Sequence, residues 1–412
     1  MNLFTGGGAQ FIYDTWGGLF ADHAFCREAF SKMETFTGVT QAPDLRGGKG
    51  PFKVIQSPAC PLGEKYTDAL HEVLKNDYGL NVPVVDDLHA HNGPALSSRG
   101  QYFLDPDNHT RVSTSNALLK NKYSGLKILS KSTATKILFQ DNKAIGVRFI
   151  QQGQTREVLA RKKVILCAGP RSAPLLLHSG IGDGEHLNGL GIDVVHNNPE
   201  VGRNLTNHLL LPWHVSVPIE DNRERAEAHH LKGISCFSAI PDPQRSAPTD
   251  IDLELMVMSP KPGQASFSTI LVNPLSRGYV NIASNDPLKP IIIDSQYLSR
   301  DEDVGVLVRS LKLQEQVLMA LQKRHPDYKI IHGLQDKESY VFENAVHIHH
   351  WTGICQIGKV VDSSLQVIGT ENLMVADTSA IPEIIRGHTY AAAILMGIAA
   401  FREITKIKDW DF

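Results

Sequence analysis

Runs of apolar residues alternate along this chain with polar, proline- and glycine-rich turns, and the period of each run names its element. Residues 126–150 read as three strands, LKILS, ATKILF and AIGVRFI, the last two separated by the polar turn QDNK. Lys163–Cys167 (KVILC) is a short apolar run with charges only before it, as a buried parallel strand has, and it leads into AGPRSAP and the helix-like LLLHSGIG. From about 211 to 345 the texture changes to alternating strands (STILVNP, GYVNIAS, PIIID) and proline-rich turns. A long amphipathic helix follows from about Asp301 to Lys323, with Val304, Leu307, Leu311, Val317 and Leu318 on one face. The closing segment returns to a strand, NLMVAD, and a helix, TYAAAILMGIAAFREI. This order predicts a second domain inserted into the first.

Length and composition narrow the function. At 412 residues the chain can bury two cores. Its 42% hydrophobic and 21% charged residues are those of an ordinary globular protein. With 41 basic against 44 acidic residues, a net charge of −3 gives no electrostatic case for nucleic acid or an anionic membrane. No apolar run reaches membrane-spanning length, so a small-molecule partner is expected. The five cysteines, Cys26, Cys60, Cys167, Cys236 and Cys355, form no C-x-x-C pair, and buried apolar thiols are the reading for all of them. His347, His349 and His350 cluster, but no carboxylate or cysteine stands at ligand spacing, so no metal site is assigned.

The candidate chemistry lies near the C-terminus. In HHWTGICQIGKVVDSSLQVIGTENLMVADTSAIPEIIRGHT, His350 stands on a turn-forming WTG, and His388 follows Arg386-Gly387 just before a long apolar helix. Two imidazoles at one site suit proton transfer near neutral pH, where histidine titrates unassisted. Taken alone, either could also be an ordinary surface or core histidine, since the chain has 18.

Four blocks, in order, resemble the glucose–methanol–choline (GMC) flavoprotein oxidoreductases. They are VILCAGPRSAPLLLHSGIG (Val164–Gly182), PEVGRNLTNHLLLP (Pro199–Pro212), PLSRGYVNIASNDPLKPIIIDSQYLSRDED (Pro274–Asp303) and the segment just quoted. RGGKGPFKV from Arg46 also fits. The departures are a first block one residue shorter than the family signature, and Asn207 where aspartate is usual.

The resemblance implies an α/β fold (α+β overall): an incomplete Rossmann-like FAD-binding domain with an inserted substrate domain built on an antiparallel sheet flanked by helices. The division expected is 1–47, 110–210 and 348–412 for FAD, and 48–109 with 211–347 for substrate. It implies FAD as cofactor, a small alcohol as substrate, and oxygen or a quinone as electron acceptor. His350 takes the role of general base for a CH–OH group, and His388 that of its oxygen-binding partner. Gly169, Asp377 and Thr389, where a helix begins, fall along the cofactor, and Ala134 falls on the strand touching adenine through its backbone. Gly6, Gly7 and Gly8 resemble a glycine segment that runs beside the flavin. The family's opening G-x-G-x-x-G unit is not found, so the chain is expected to begin inside the N-terminal domain, with weakened FAD binding. A hydroxynitrile lyase-like activity on the same fold, or a remnant that cannot retain FAD, are the alternatives.

Overall fold

The computed structural model describes residues 15–407 and 410, apart from 92, 120–122, 228–233, 243, 245–250 and 332–333. Gly6, Gly7 and Gly8 lie outside the described residues.

Helix α1 (His23–Met33) starts where the Asp22 carboxylate accepts the amide hydrogens of Ala24 and Phe25, and it buries Phe25, Ala29, Phe30 and Met33 along one stripe. Helix α2 (Pro61–Tyr78) opens on proline and stops at Gly79, whose φ of 67° is the left-handed cap that glycine accepts without strain. After the short strand β1 (Ala95–Ser97) come β2 (Ser132–Gln140), β3 (Lys143–Gln151) and β4 (Gln154–Leu159), an antiparallel meander. The expected strand at 126–130 does not form. Among the described residues they form no ladder with another strand, and Ile128 is 64% exposed, so their apolar character has no face to bury. Strand β5 (Val164–Leu166) then enters helix α3 (Ser172–His178) through a glycine turn.

The next strands are β6 (Leu209–Leu211), β7 (His214–Ser216), β8 (Ile234–Ile240), β9 (Leu253–Lys261) and β10 (Gln264–Leu271). The amphipathic helix is α4 (Asp301–Arg324), and all five apolar residues expected on its face are buried. Asp303 in its first turn accepts from the amides of Leu275 and Ser276 and from the Ser276 hydroxyl, which ties the Pro274–Gly278 turn to the helix start. Strands β11 (Lys329–Ile330), β12 (Val346–His347) and β13 (Leu373–Val375) precede the last helix, α5 (Tyr390–Thr405).

Strands β11-β7-β10-β9-β8-β1 form one antiparallel sheet in that order, and β6 joins it by pairing with both β10 and β12. Strand alternation splits β9 cleanly. Leu253, Leu255 and Val257 join the core under α2 and α4, whereas Met256 belongs to a separate cluster with Leu210, Phe237 and Ile270 on the opposite face. Among the described residues β5 pairs only with β13, in parallel, and this pair shares the remaining large core with α1, α3 and α5. Ile165 in β5 is 43% exposed and Cys167 just after it is also exposed, which corrects the reading of all five cysteines as buried. The other four are buried, and all five are free thiols.

Candidate active site

His350 is carried in by a backbone irregularity. Leu209 pairs with His347 in the β6–β12 ladder, while Thr206 exchanges backbone hydrogen bonds with Thr352. Two residues, 207 and 208, therefore face four, 348–351. The surplus is absorbed by a bulge in which His349 takes φ 61° and turns to solvent, sending His350 inward. Asn207 closes the bulge: its Oδ1 accepts the His350 amide hydrogen at 2.9 Å, and its Nδ2 donates to the Tyr297 hydroxyl at 2.8 Å. Asn207, standing where aspartate is usual in the family, thus bonds to backbone on one side and to Tyr297 on the other. Trp351 also donates to the Tyr297 hydroxyl. His347 and His349 pack edge to face at the surface, and His349 lies outside the strand that carries His347.

The structure brings the two candidate histidines together. The rings of His350 and His388 stand edge to face with centroids 4.9 Å apart. On its far side His350 meets a third imidazole, His208, buried at the entry to β6, with Nδ1 to Nδ1 at 2.9 Å. Beyond His388 lies Glu254, which projects from β9 on the same face as Met256 and is 1% exposed; its Oε1 is 3.2 Å from His388 Nε2. Phe237 presents its ring edge-on to His388 at 6.3 Å. The site is a row, His208–His350–His388–Glu254, running from the bulge to the sheet.

Burial holds His350 well below the ordinary histidine range, and the neighbouring His388, His208 and His349 push it the same way. His208 is lowered to about 3, by burial first and then by His388 and Arg386, against the backbone carbonyls of Ile385 and Val272, which favour its proton. Both rings are therefore neutral at physiological pH, the form in which an imidazole can take a proton.

Asp377 and Gly169 are joined. Asp377 Oδ2 accepts from the Gly169 amide (2.9 Å) and the Ser172 hydroxyl (2.6 Å), and Oδ1 accepts from Ser379. The carboxylate locks the end of β5 to the end of β13. Gly169 has φ 56°, and no described atom lies within 4 Å of where its Cβ would stand, so a ligand can approach the backbone here. Thr389 is the N-cap of α5, but its side chain makes no capping bond and the first turn holds no acid. The leading amides of that helix, next to His388, thus have no side-chain acceptor of that kind. Tyr390 fixes the helix start by packing edge-on to Phe103 at 4.8 Å and Phe52 at 6.3 Å. Ala134 lies on an exposed face of β2, opposite Phe149; the meander is anchored to the SGIG turn by the Ile137 amide, which donates to Ser179 Oγ.

Glu254 and His208 were missed in the sequence. Glu254 had one signal, a lone acid inside the apolar alternation LELMV. His208 closes the N-L-x-x-H block, but nothing in one sequence places it against His350. Among the described residues no group of three or more His, Cys, Asp or Glu is placed to hold a metal ion, and no helix is long and apolar enough to cross a membrane.

Comparison with known proteins agrees with this architecture. An uncharacterised GMC-type oxidoreductase of Mycobacterium tuberculosis is 32% identical over 327 residues, 70% of this chain and 61% of that protein. The FAD- and quinone-linked glucose dehydrogenase of Drosophila melanogaster is 29% identical over 85% of this chain and 62% of its own length. An oxygen-dependent choline dehydrogenase of Staphylococcus saprophyticus is 29% identical over 93% and 73%. The chain thus spans about three fifths of the first two relatives' length. Among solved structures, an FAD-dependent oxidoreductase from Chaetomium thermophilum superposes with a TM-score of 0.81 at 22% identity, covering 98% of this chain and 84% of that one. Pyridoxine 4-oxidase from Mesorbium loti also gives 0.81, at 19% identity, covering 99% and 82%. The family's cofactor is FAD. Two family profiles, both described as GMC oxidoreductase, match residues 15–210 and 274–397, and the chain belongs to that family.

Proposed function

We propose that this protein is an FAD-dependent oxidoreductase acting on a CH–OH group of a small alcohol, with His350 as the general base. The observation that carries the reading is the edge-to-face pair of imidazoles at 4.9 Å, one buried and neutral, the other tied to a buried carboxylate. FAD, when bound, would supply the hydride acceptor for the alcohol carbon, with oxygen or a quinone taking the electrons onward. The residues fit it: Gly169 offers open backbone, Asp377 fixes that turn, and the uncapped start of α5 suits an electron-rich group.

The chain's own part is proton handling. His350 engages His208 through Nδ1, which leaves Nε2 to take the hydroxyl proton. His388 is held through Nε2 by Glu254, so its Nδ1 is the nitrogen that meets the substrate oxygen, and with hydrogen on both nitrogens the ring donates there and steadies charge developing on that oxygen. Buried Phe237 keeps water from one side of the pair.

The test begins with the visible spectrum of the purified chain incubated with excess FAD. A protein-bound flavin band that bleaches anaerobically with a small alcohol supports the reading. His350→Ala then keeps the band and loses the bleaching. Bleaching retained in His350→Ala removes the base assignment; aldehyde released from a cyanohydrin without bleaching redirects the site to lyase chemistry.

A further inference from the structure

The contact between His208 and His350 leaves only two arrangements of protons. With Nδ1 2.9 Å from Nδ1, one ring donates and the other accepts, because two N–H groups cannot face each other at that distance. If His208 donates, His350 accepts at Nδ1 and carries its own hydrogen on Nε2, which makes Nε2 a donor and useless as a base. If His350 donates, its Nε2 is bare.

The surroundings of His208 choose between these. The backbone carbonyls of Val272, just after β10, and Ile385, in the loop leading to His388, stand against its ring. A carbonyl can only accept, and Nδ1 of His208 is already occupied by His350. With Nδ1 taken, the nitrogen left toward these carbonyls is Nε2, which is buried and makes no hydrogen bond of ordinary geometry. A hydrogen on Nε2 lessens the cost of burying that nitrogen beside two oxygens, whereas a lone pair there is repelled by both. With the hydrogen on Nε2, the neutral His208 ring offers Nδ1 as an acceptor.

We propose that His208 is a positioning residue: it accepts the Nδ1 hydrogen of His350 and so holds that ring in the tautomer whose Nε2 is bare toward the substrate. The proposal rests on the reading of His350 as the base. It adds that the backbone of the loop at Ile385 and of the strand end at Val272 selects, through His208, the protonation pattern of the His350 ring. When His350 takes a proton on Nε2, the hydrogen bond from its Nδ1 to neutral His208 becomes charge-assisted and strengthens as the positive charge forms.

Long-range proton–nitrogen correlation spectra of the 15N-histidine-labelled chain test this, read with and without FAD. The His350 signals are identified by their loss in His350→Gln. The expected result at pH 7.5 is His350 with hydrogen on Nδ1 and a bare Nε2, and His208 with hydrogen on Nε2. In His208→Leu the His350 ring redistributes toward the Nε2–H form. His208→Asn, whose amide oxygen can replace the acceptor, restores Nδ1–H. Turnover follows the tautomer: kcat falls about tenfold to a hundredfold in His208→Leu with KM little changed, and recovers in His208→Asn. A His350 ring found as Nε2–H in the wild-type chain, or unchanged in His208→Leu, overturns the proposal, and the wild-type spectrum alone decides it should His208→Leu not fold. Loss of the base reading looks different: the tautomers stand as stated while His350→Ala still reduces flavin.

Discussion

Glu254 shows what one side chain can do and how little of it one sequence reveals. His350 and His388 were legible because they sit in ordered motifs near the C-terminus. Glu254 comes from a strand about a hundred residues earlier, and only the pleat of β9 aims it away from Leu253 and Leu255 and toward His388. A carboxylate in such a place costs desolvation, which its bond to His388 offsets. Its value therefore lies in orienting His388 rather than in stability. Glu254→Gln keeps the shape and removes the charge, so kcat/KM for flavin reduction falls about 10- to 100-fold, the equivalent of a lost charge-assisted hydrogen bond of about 1.5–3 kcal/mol. The melting temperature stays within a few degrees of wild type or rises. An unchanged kcat/KM sinks the orienting role; a collapse of the melting temperature assigns Glu254 to the fold instead.

At the scale of elements, long periodic segments were readable and short unpaired ones were not. The helix from Asp301 was found to within a residue of its end because eleven of its side chains are buried on one stripe. LKILS was misread as a strand because alternation reports a half-buried surface and says nothing about whether a partner strand exists. The bulge that delivers His350 was equally hidden, since it depends on a register mismatch between segments more than 140 residues apart. That bulge leans on Gly353, which has φ 92° and whose Cβ would stand 2.3 Å from the Asn204 carbonyl oxygen. Gly358, five residues on, has φ 84° with nothing within 4 Å. Gly358→Ala thus carries only the left-handed strain of about 1–2 kcal/mol, while Gly353→Ala adds a backbone collision and shifts the loop under His350. Unfolding midpoints and flavin reduction measured on both should show Gly353→Ala losing more stability and most of its activity. Equal effects reject the view that this glycine positions the histidine.

The whole molecule sets the pH over which this site can exist. Its fold class was legible because the stretch from about 211 to 345 differs in texture from the segments on either side, yet the burial of particular polar groups emerged only from packing. Among the described residues five histidines are depressed below the ordinary value of 6.5, and His89, His208 and His350 are the most deeply buried of them. In all three burial is the largest cause; the Arg46 guanidinium adds to it at His89, and neighbouring histidines add to it at the other two, with Arg386 besides at His208. Unfolding releases each ring to water, where it takes a proton below about pH 6.5. The unfolded chain therefore binds more protons than the folded one on the acid side, and stability supplied by these groups is complete above that pH and lost as pH falls through it. Each contributes a slope of at most about 1.4 kcal/mol per pH unit. His89 is the one to vary because it lies in the helical turn Leu88–Ala90, outside the His208–His350–His388–Glu254 row, although His388 adds a smaller push to it. Urea unfolding at pH 7.5, 6.5 and 5.5 should show stability falling with acid, and His89→Gln, which cannot take that proton, should show a slope shallower by about 1 kcal/mol per pH unit. Parallel slopes for the two proteins mean that His89 already carries its proton in the fold. Burial beside Arg46 then fails to keep it neutral, and the same argument loses its force for the deeper pair at His208 and His350.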